Sequence, residues 1–96
     1  MKVRFTRTAQ RDLAQIHTYI SLDSPTIASR FVVRLIERAR ELADQPLAGR
    51  ETDEPGVRVI VAPKLRYFIF YTIVEGEVRV THIRHTSRRR PRTWSR

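Results

Sequence analysis

The stretch from Arg66 to Arg88, RYFIFYTIVEGEVRVTHIRHTSR, constrains this chain more than any other. Tyr67-Phe68-Ile69-Phe70-Tyr71 is a run of β-formers apolar at both parities, the pattern of an interior strand covered on both faces. Glu75-Gly76 is a tight-turn pair, and Val78 to His85 reads as the return strand, so the stretch predicts a central β-hairpin. The return strand starts with clean alternation and ends in His82, Arg84 and His85. One hairpin thus joins a core to a cationic rim.

The remaining elements can be placed around it. Lys2-Val3-Arg4-Phe5 alternates and predicts a short first strand with Val3 and Phe5 inward. Thr8 stands where a helix N-cap belongs, and Ala9, Leu13, Ile16 and Ile20 then fall on one helical face, with His17 off that face and expected in solvent. Ser24-Pro25 restarts the chain as a cap followed by a first-turn proline. From there Ile27, Ala28, Phe31, Val32, Leu35, Ile36, Ala39, Leu42 and Ala43 form the apolar stripe of a second helix that ends before Pro46. Its polar face, Arg30, Arg34, Glu37, Arg38, Arg40 and Glu41, is spaced for ion pairs one turn apart. A loop carrying Glu51, Asp53 and Glu54 follows, and then a strand over Val57 to Val61. The order is βααβββ. It predicts an α+β domain in which an N-terminal strand and an antiparallel helical hairpin precede a three-stranded antiparallel sheet, one domain over 1–96 with a basic, mobile tail at 87–96.

Charge says where a partner would meet such a domain. Nineteen Lys and Arg oppose ten Asp and Glu, and only two of the cations are lysine. Residues 1–56 are nearly neutral, with nine cations and eight anions, whereas residues 57–96 hold ten cations and two anions, net +8. A face so polarised attracts a phosphate backbone or an acidic protein, and arginine favours forked recognition of phosphate or carboxylate. With no cysteine there is neither a disulfide nor a thiolate metal site, and His82 has no carboxylate or cysteine cluster beside it in sequence, so no metal or other cofactor is expected. The apolar runs are too short to span a membrane, which makes a cytoplasmic location the expectation. A general nucleic-acid-binding module is a poorer fit, because the tail has one aromatic, Trp94, where a stacking platform uses several.

Several fragments, in order and spacing, resemble one known family. They are Tyr19-Ile20 at the end of the first helix, Ser24-Pro25 with Ala28 and Phe31-Val32, Leu42 followed by Pro46 and Gly49-Arg50, Val57-Arg58, Arg66-Tyr67 with Ile69-Phe70-Tyr71, and Val80, Ile83, His85 and Arg88. Together they resemble the ParE/RelE superfamily of toxins from bacterial type II toxin–antitoxin modules, in its ParE-like, plasmid-stabilisation branch. The resemblance implies a growth-inhibiting toxin in a hetero-oligomer with a cognate antitoxin. ParE-like members poison DNA gyrase through a shaped, charged surface. RelE-like members cut mRNA on the ribosome, which needs a proton acceptor, a proton donor and cations on the phosphate. For a nuclease, Arg58, Lys64, Arg66, Arg84, His85 and Arg88 are the candidates. For a binding surface they are Arg58, Arg66, Arg84, His85, Arg88, Arg89 and Arg90. No tyrosine follows Tyr71, so the C-terminal tyrosine that many RelE-type nucleases use is missing, which favours gyrase. The doubly apolar third strand implies a face left for the antitoxin to cover. Arg58 and Arg66 have a plainer alternative as ion-pair partners of the acidic loop, and His85 as a hydrogen-bonded strand-end residue.

Overall fold

A strand that must be covered on both faces belongs in the middle of a sheet, and that is where the apolar run lies. In the computed structural model, which describes residues 1–87, the strands are β1 (Lys2–Phe5), β2 (Arg50–Glu51), β3 (Arg58–Ala62), β4 (Tyr67–Val74) and β5 (Glu77–His85). The helices are α1 (Arg7–Ser21) and α2 (Pro25–Arg40), with a 3-10 turn at Glu41–Ala43. The strand order is β1-β5-β4-β3-β2, so β4 is central. Only β1 is parallel to its neighbour, pairing Lys2 to Phe5 with Glu77 to Val80 of β5. The class is the expected α+β. The sheet differs from expectation in having five strands: β1 joins it, and Arg50-Glu51 pairs with Val59 and Arg58 inside what reads as a loop. Two residues without apolar periodicity give a sequence reading nothing to detect. The tail with Arg88, Arg89 and Arg90 lies outside the described residues.

Both helices pack on one face of the sheet. Ala9, Leu13 and Ile16 of α1 and Leu35 and Ala39 of α2 share a core with Ile60, Ile69, Tyr71, Val78, Val80 and Ile83. Each large side chain buried there contributes roughly 1.5–3 kcal/mol, far more than helix propensity, so sheet packing is what holds the helices. The other face has its own cluster of Val57, Val59 and Phe70 with Phe68. Phe70 is fully buried, so this face is not left bare for a partner as its sequence suggests.

The helix ends follow local chemistry. Thr6, not Thr8, caps α1: its Oγ1 accepts from Ala9 N–H at 3.2 Å, and its own N–H donates to Val80 O at 3.0 Å. The last rung of β1 and the cap are one residue, so the helix starts as soon as the strand ends. Ser24 caps α2 through Ile27 N–H, with Pro25 in the first turn as expected. Ile27 does not join the core. It is 56 % exposed beside Tyr19 and Leu22, leaving an apolar tip on the helical hairpin. Of the ion pairs expected on the outer face of α2, the structure forms Arg38–Glu41. His17 is not simply solvated, since Nε2 meets Ser29 Oγ at 3.2 Å and Nδ1 meets Ser21 Oγ at 3.3 Å, bridging the two helices.

Two side chains blunt sheet edges that could otherwise pair with another chain. Arg38 Nε donates to Val61 O at 3.0 Å on β3, and Gln10 Nε2 donates to Phe5 O at 2.9 Å on β1. On β5 the pairing with β4 skips one residue: Phe70 faces His82 and Tyr71 faces Val80, so Thr81 is a bulge, its hydroxyl 3.3 Å from Phe70 O. The bulge changes the parity of the strand. Val78 and Val80 point to the helices before it, and Ile83 and His85 after it.

Candidate functional site at the end of the hairpin

Of the eight cationic or imidazole candidates, the five among the described residues separate into distinct places. Arg58 opens β3 on the helix-facing side, and its guanidinium is already engaged. Nη1 donates to Gly49 O at 2.7 Å and Nη2 lies 3.7 Å from Glu51 Oε2. The ion-pair alternative for Arg58 is therefore realised. It belongs to a lock around Tyr71, whose hydroxyl donates to Pro46 O at 2.7 Å and accepts from Gly49 N–H at 2.8 Å. Burial raises the Tyr71 hydroxyl pKa above its ordinary value of 10.0, against the opposing pull of the Gly49 hydrogen bond and the Arg58 charge. Gly49 is required for closeness: a Cβ there would sit 2.5 Å from the Tyr71 oxygen.

Arg66 and His85 meet at the opposite end of β4. Lys64 and Arg66 lie in the turn between β3 and β4, both exposed. Arg66 closes that turn in a left-handed conformation, φ 62°, with its N–H on Ala62 O at 2.8 Å and its carbonyl accepting from Thr86 N–H at 2.9 Å. It makes no ion pair with the acidic loop among the described residues. His85 is opposite Tyr67 in register, and the two rings stack edge to face, centroids 5.1 Å apart. Phe31 of α2 also meets the Tyr67 ring edge to face, centroids 5.7 Å apart. Nδ1 of His85 accepts from Ser87 N–H at 3.1 Å and lies 2.7 Å from Ser87 Oγ, so the neutral ring carries its proton on Nε2. The hydrogen-bonded strand-end role is thus also present. Arg84 is half-buried on the other face of β5, opposite Phe68. Arg88, Arg89 and Arg90 fall outside the described residues.

A cleft of about 540 Å³ opens beside His85, between α1 and the end of β5. Asp12, Gln15, Ile16 and Tyr19 line it from the helix, and Ile83, Arg84, His85 and Ser87 from the strand, with Tyr67 between. None of the helix residues is a candidate from sequence. Asp12 had a signal, being the single acid on α1, and it links helix to strand by accepting Ile83 N–H at 2.9 Å. Its Oδ2 also lies 4.0 Å from Nδ1 of His82. Burial lowers the His82 pKa from its ordinary 6.5. Asp12 opposes that shift, Arg84 reinforces it and Glu54 opposes it. No group of three or more His, Cys, Asp or Glu among the described residues could hold a metal, and no helix among them is long and apolar enough to cross a membrane.

The fold, a helical hairpin on one face of a mixed sheet, is shared with known toxins. Of solved structures, the chromosomal ParDE toxin–antitoxin system from P. aeruginosa includes a chain that superposes with TM-score 0.80 at 26 % identity, covering 91 % of this chain and 97 % of that one. The isolated E. coli RelE toxin superposes with TM-score 0.63 at 15 % identity, covering 92 % and 86 %, a likeness of fold. Toxin RelE2 of Caulobacter vibrioides is 36 % identical over 91 % of this chain and 97 % of its own length. The family described as the ParE toxin of the type II toxin–antitoxin system parDE matches residues 3–90, and the chain belongs to that family. It is a type II toxin of the ParE/RelE superfamily, and its partner is an antitoxin.

Proposed function

We propose that this toxin arrests growth by binding and poisoning DNA gyrase rather than by cutting mRNA on the ribosome. The observation that carries the reading is the dispersal of the candidate catalytic groups. Acid–base cleavage of a phosphodiester needs a proton acceptor, a proton donor and cations converging on one phosphate. Arg58 is taken up by Gly49 O and Glu51, and the rung that holds it is four residues along β4 from the rung of His85, about 13 Å. Arg84 alternates with His85 along β5 and so projects to the other face of the strand, although both residues border the cleft. The absence of any tyrosine after Tyr71 supports the same reading. A binding surface has no such need for convergence.

Within that surface Arg66 and His85 are the contact residues we assign. A non-glycine residue in the left-handed region costs about 1 kcal/mol, and such strain is retained where the side chain is used. Arg66 bears that strain while extending an exposed guanidinium at the mouth of the hairpin. Lys64 adds charge in the same turn. A role in plasmid stabilisation follows from the same reading.

The test compares the purified toxin in a gyrase supercoiling assay and in translation-coupled mRNA cleavage. Gyrase inhibition with intact transcripts is the expected result. Cleaved transcripts with unaffected supercoiling would return His85 and the arginines to catalytic roles.

A further inference from the structure

A second cavity lies at the β3 edge and shares no residue with the cleft beside His85. β2 accompanies β3 for two rungs only, Glu51 with Arg58 and Arg50 with Val59, and the residues that would face Ile60 and Val61 do not join the sheet. The gap is a cavity of about 260 Å³, lined by Ala48 and Arg50 from the segment before β3, by Val61 and Phe68 from the sheet and by Arg38 from α2. Its polar groups are donors. Thr52 N–H donates to Val57 O at 3.0 Å, so Val57, Val59 and Val61 turn their backbone groups toward the β2 side, and Arg38 Nε reaches Val61 O there at 3.0 Å. Val61 N–H points the same way and has no partner among the described residues. Arg50 is registered with Val59 and so shares its face; its side chain is exposed and forms no ion pair or hydrogen bond among the described residues. Arg38 is fixed by Val61 O and by Glu41, whose Oε1 lies 2.6 Å from Nη1, and its Nη2 is uncommitted.

We infer that this cavity binds an organic anion with a flat apolar body, of the class of nucleoside monophosphates. The anionic end follows from two guanidinium groups and an open backbone N–H, which together take the oxygens of a phosphate, while no carboxylate lines the cavity to oppose it. The flat body follows from Phe68. Its half-buried ring stands on the rung of Val61, itself 37 % exposed, and the two form an apolar wall on which a base can stack. Size sets the limit: the cavity, at about 260 Å³, is smaller than the roughly 300–1,000 Å³ of a drug-sized pocket and has room for one nucleotide. The wall is also set in advance. Ala48 and Arg50 flank Gly49, whose N–H is held by the Tyr71 hydroxyl and whose carbonyl is held by Arg58, so binding does not have to order that segment. None of these residues belongs to the surface assigned to gyrase, so the site stands whatever the target.

Titration of the full chain with adenosine monophosphate, followed at the Val61 amide by nitrogen–proton correlation spectra and by calorimetry, tests the site. Saturable binding that shifts the Val61 amide is expected, with adenosine alone and inorganic phosphate alone each at least about 10-fold weaker, since each supplies part of the contacts. In Arg50→Gln, which removes a charge that the fold does not use, affinity is expected to fall at least about 10-fold, the scale of one charge-assisted hydrogen bond. Phe68→Leu keeps an apolar wall and loses the flat ring, and a fall of at least about 5-fold is expected. A Val61 amide that stays unmoved at millimolar nucleotide, or equal affinities in Arg50→Gln and the unaltered chain, would overturn the site. Phosphate alone binding as tightly as the nucleotide would overturn the flat body. A short single strand of DNA is titrated beside the free nucleotide: weaker binding is the expected result, and tighter binding at the same amide would overturn the free nucleotide as the ligand.

Discussion

Tyr67 and Tyr71 occupy the same face of one strand, four residues apart, and are used in opposite ways. Tyr71 is fully buried and spends its hydroxyl inside the chain, on Gly49 N–H and Pro46 O, beside an arginine bound to Gly49 O. Tyr67 is half-buried in the lining of a cleft, with both His85 and Phe31 edge to face with its ring. The Tyr71 end of the sheet is closed on itself and the Tyr67 end is open to a partner. Residue type does not distinguish them, since tyrosine and arginine stand at both ends. The difference lies in what the neighbouring backbone offers: the 46–49 segment wraps the first end, and β1 stops short of the second.

Substitutions can break this contrast from either side. The largest effect is expected at Gly49→Ala, because the new Cβ meets Tyr71 at 2.5 Å and neither the buried ring nor the backbone can yield cheaply. A loss of about 3 kcal/mol in urea unfolding is the expected outcome. Tyr71→Phe keeps the ring and orphans the buried Gly49 N–H and the part-buried Pro46 C=O, so about 2 kcal/mol should be lost, with growth arrest per folded molecule retained. If arrest is lost while stability holds, the closed end is functional after all.

Two smaller effects sharpen the picture. Arg66→Gly relieves a left-handed backbone, and a gain in stability of at most about 1 kcal/mol is expected together with weaker growth arrest. The pH dependence is the subtlest. Because burial lowers the folded-state pKa of His82, the unfolded chain binds its proton first as pH falls below 6.5. Stability is therefore complete above 6.5 and declines as the pH drops toward the folded value, and in His82→Ala this component of the slope should vanish. At the alkaline end the raised pKa of Tyr71 acts in the reverse sense. Its contribution is complete below 10.0 and is lost as pH rises from there through the folded value, a loss that Tyr71→Phe should remove.

How far the sequence reveals this depends on the reach of each interaction. The central strand, the Glu75-Gly76 turn and the Ser24-Pro25 restart are legible because periodicity and turn chemistry are local. The structure gives the two turn residues φ of 51° and 76° and pairs Val74 with Glu77 across them. The bulge also left a trace. The apolar positions run Val78, Val80 and then Ile83, a spacing of three that breaks the period of two at Thr81. Its consequence, that His85 faces the helices and Arg84 does not, needs the register to be seen. Asp12, Tyr19 and Tyr67 could not be grouped with His85 beforehand, because a helix and two strands bring them together from positions as far apart as 12 and 85. Arg58 carries the opposite lesson. It is a cation in a family motif, and the structure employs it to hold the backbone at Gly49.

The central claim, that the open end of the hairpin is where this toxin meets its target, is tested most directly by the growth arrest of an Arg66→Ala, His85→Ala double variant expressed to the same soluble level as the unaltered chain. The account predicts that arrest is abolished with the thermal midpoint unchanged. Full arrest by the double variant would contradict it.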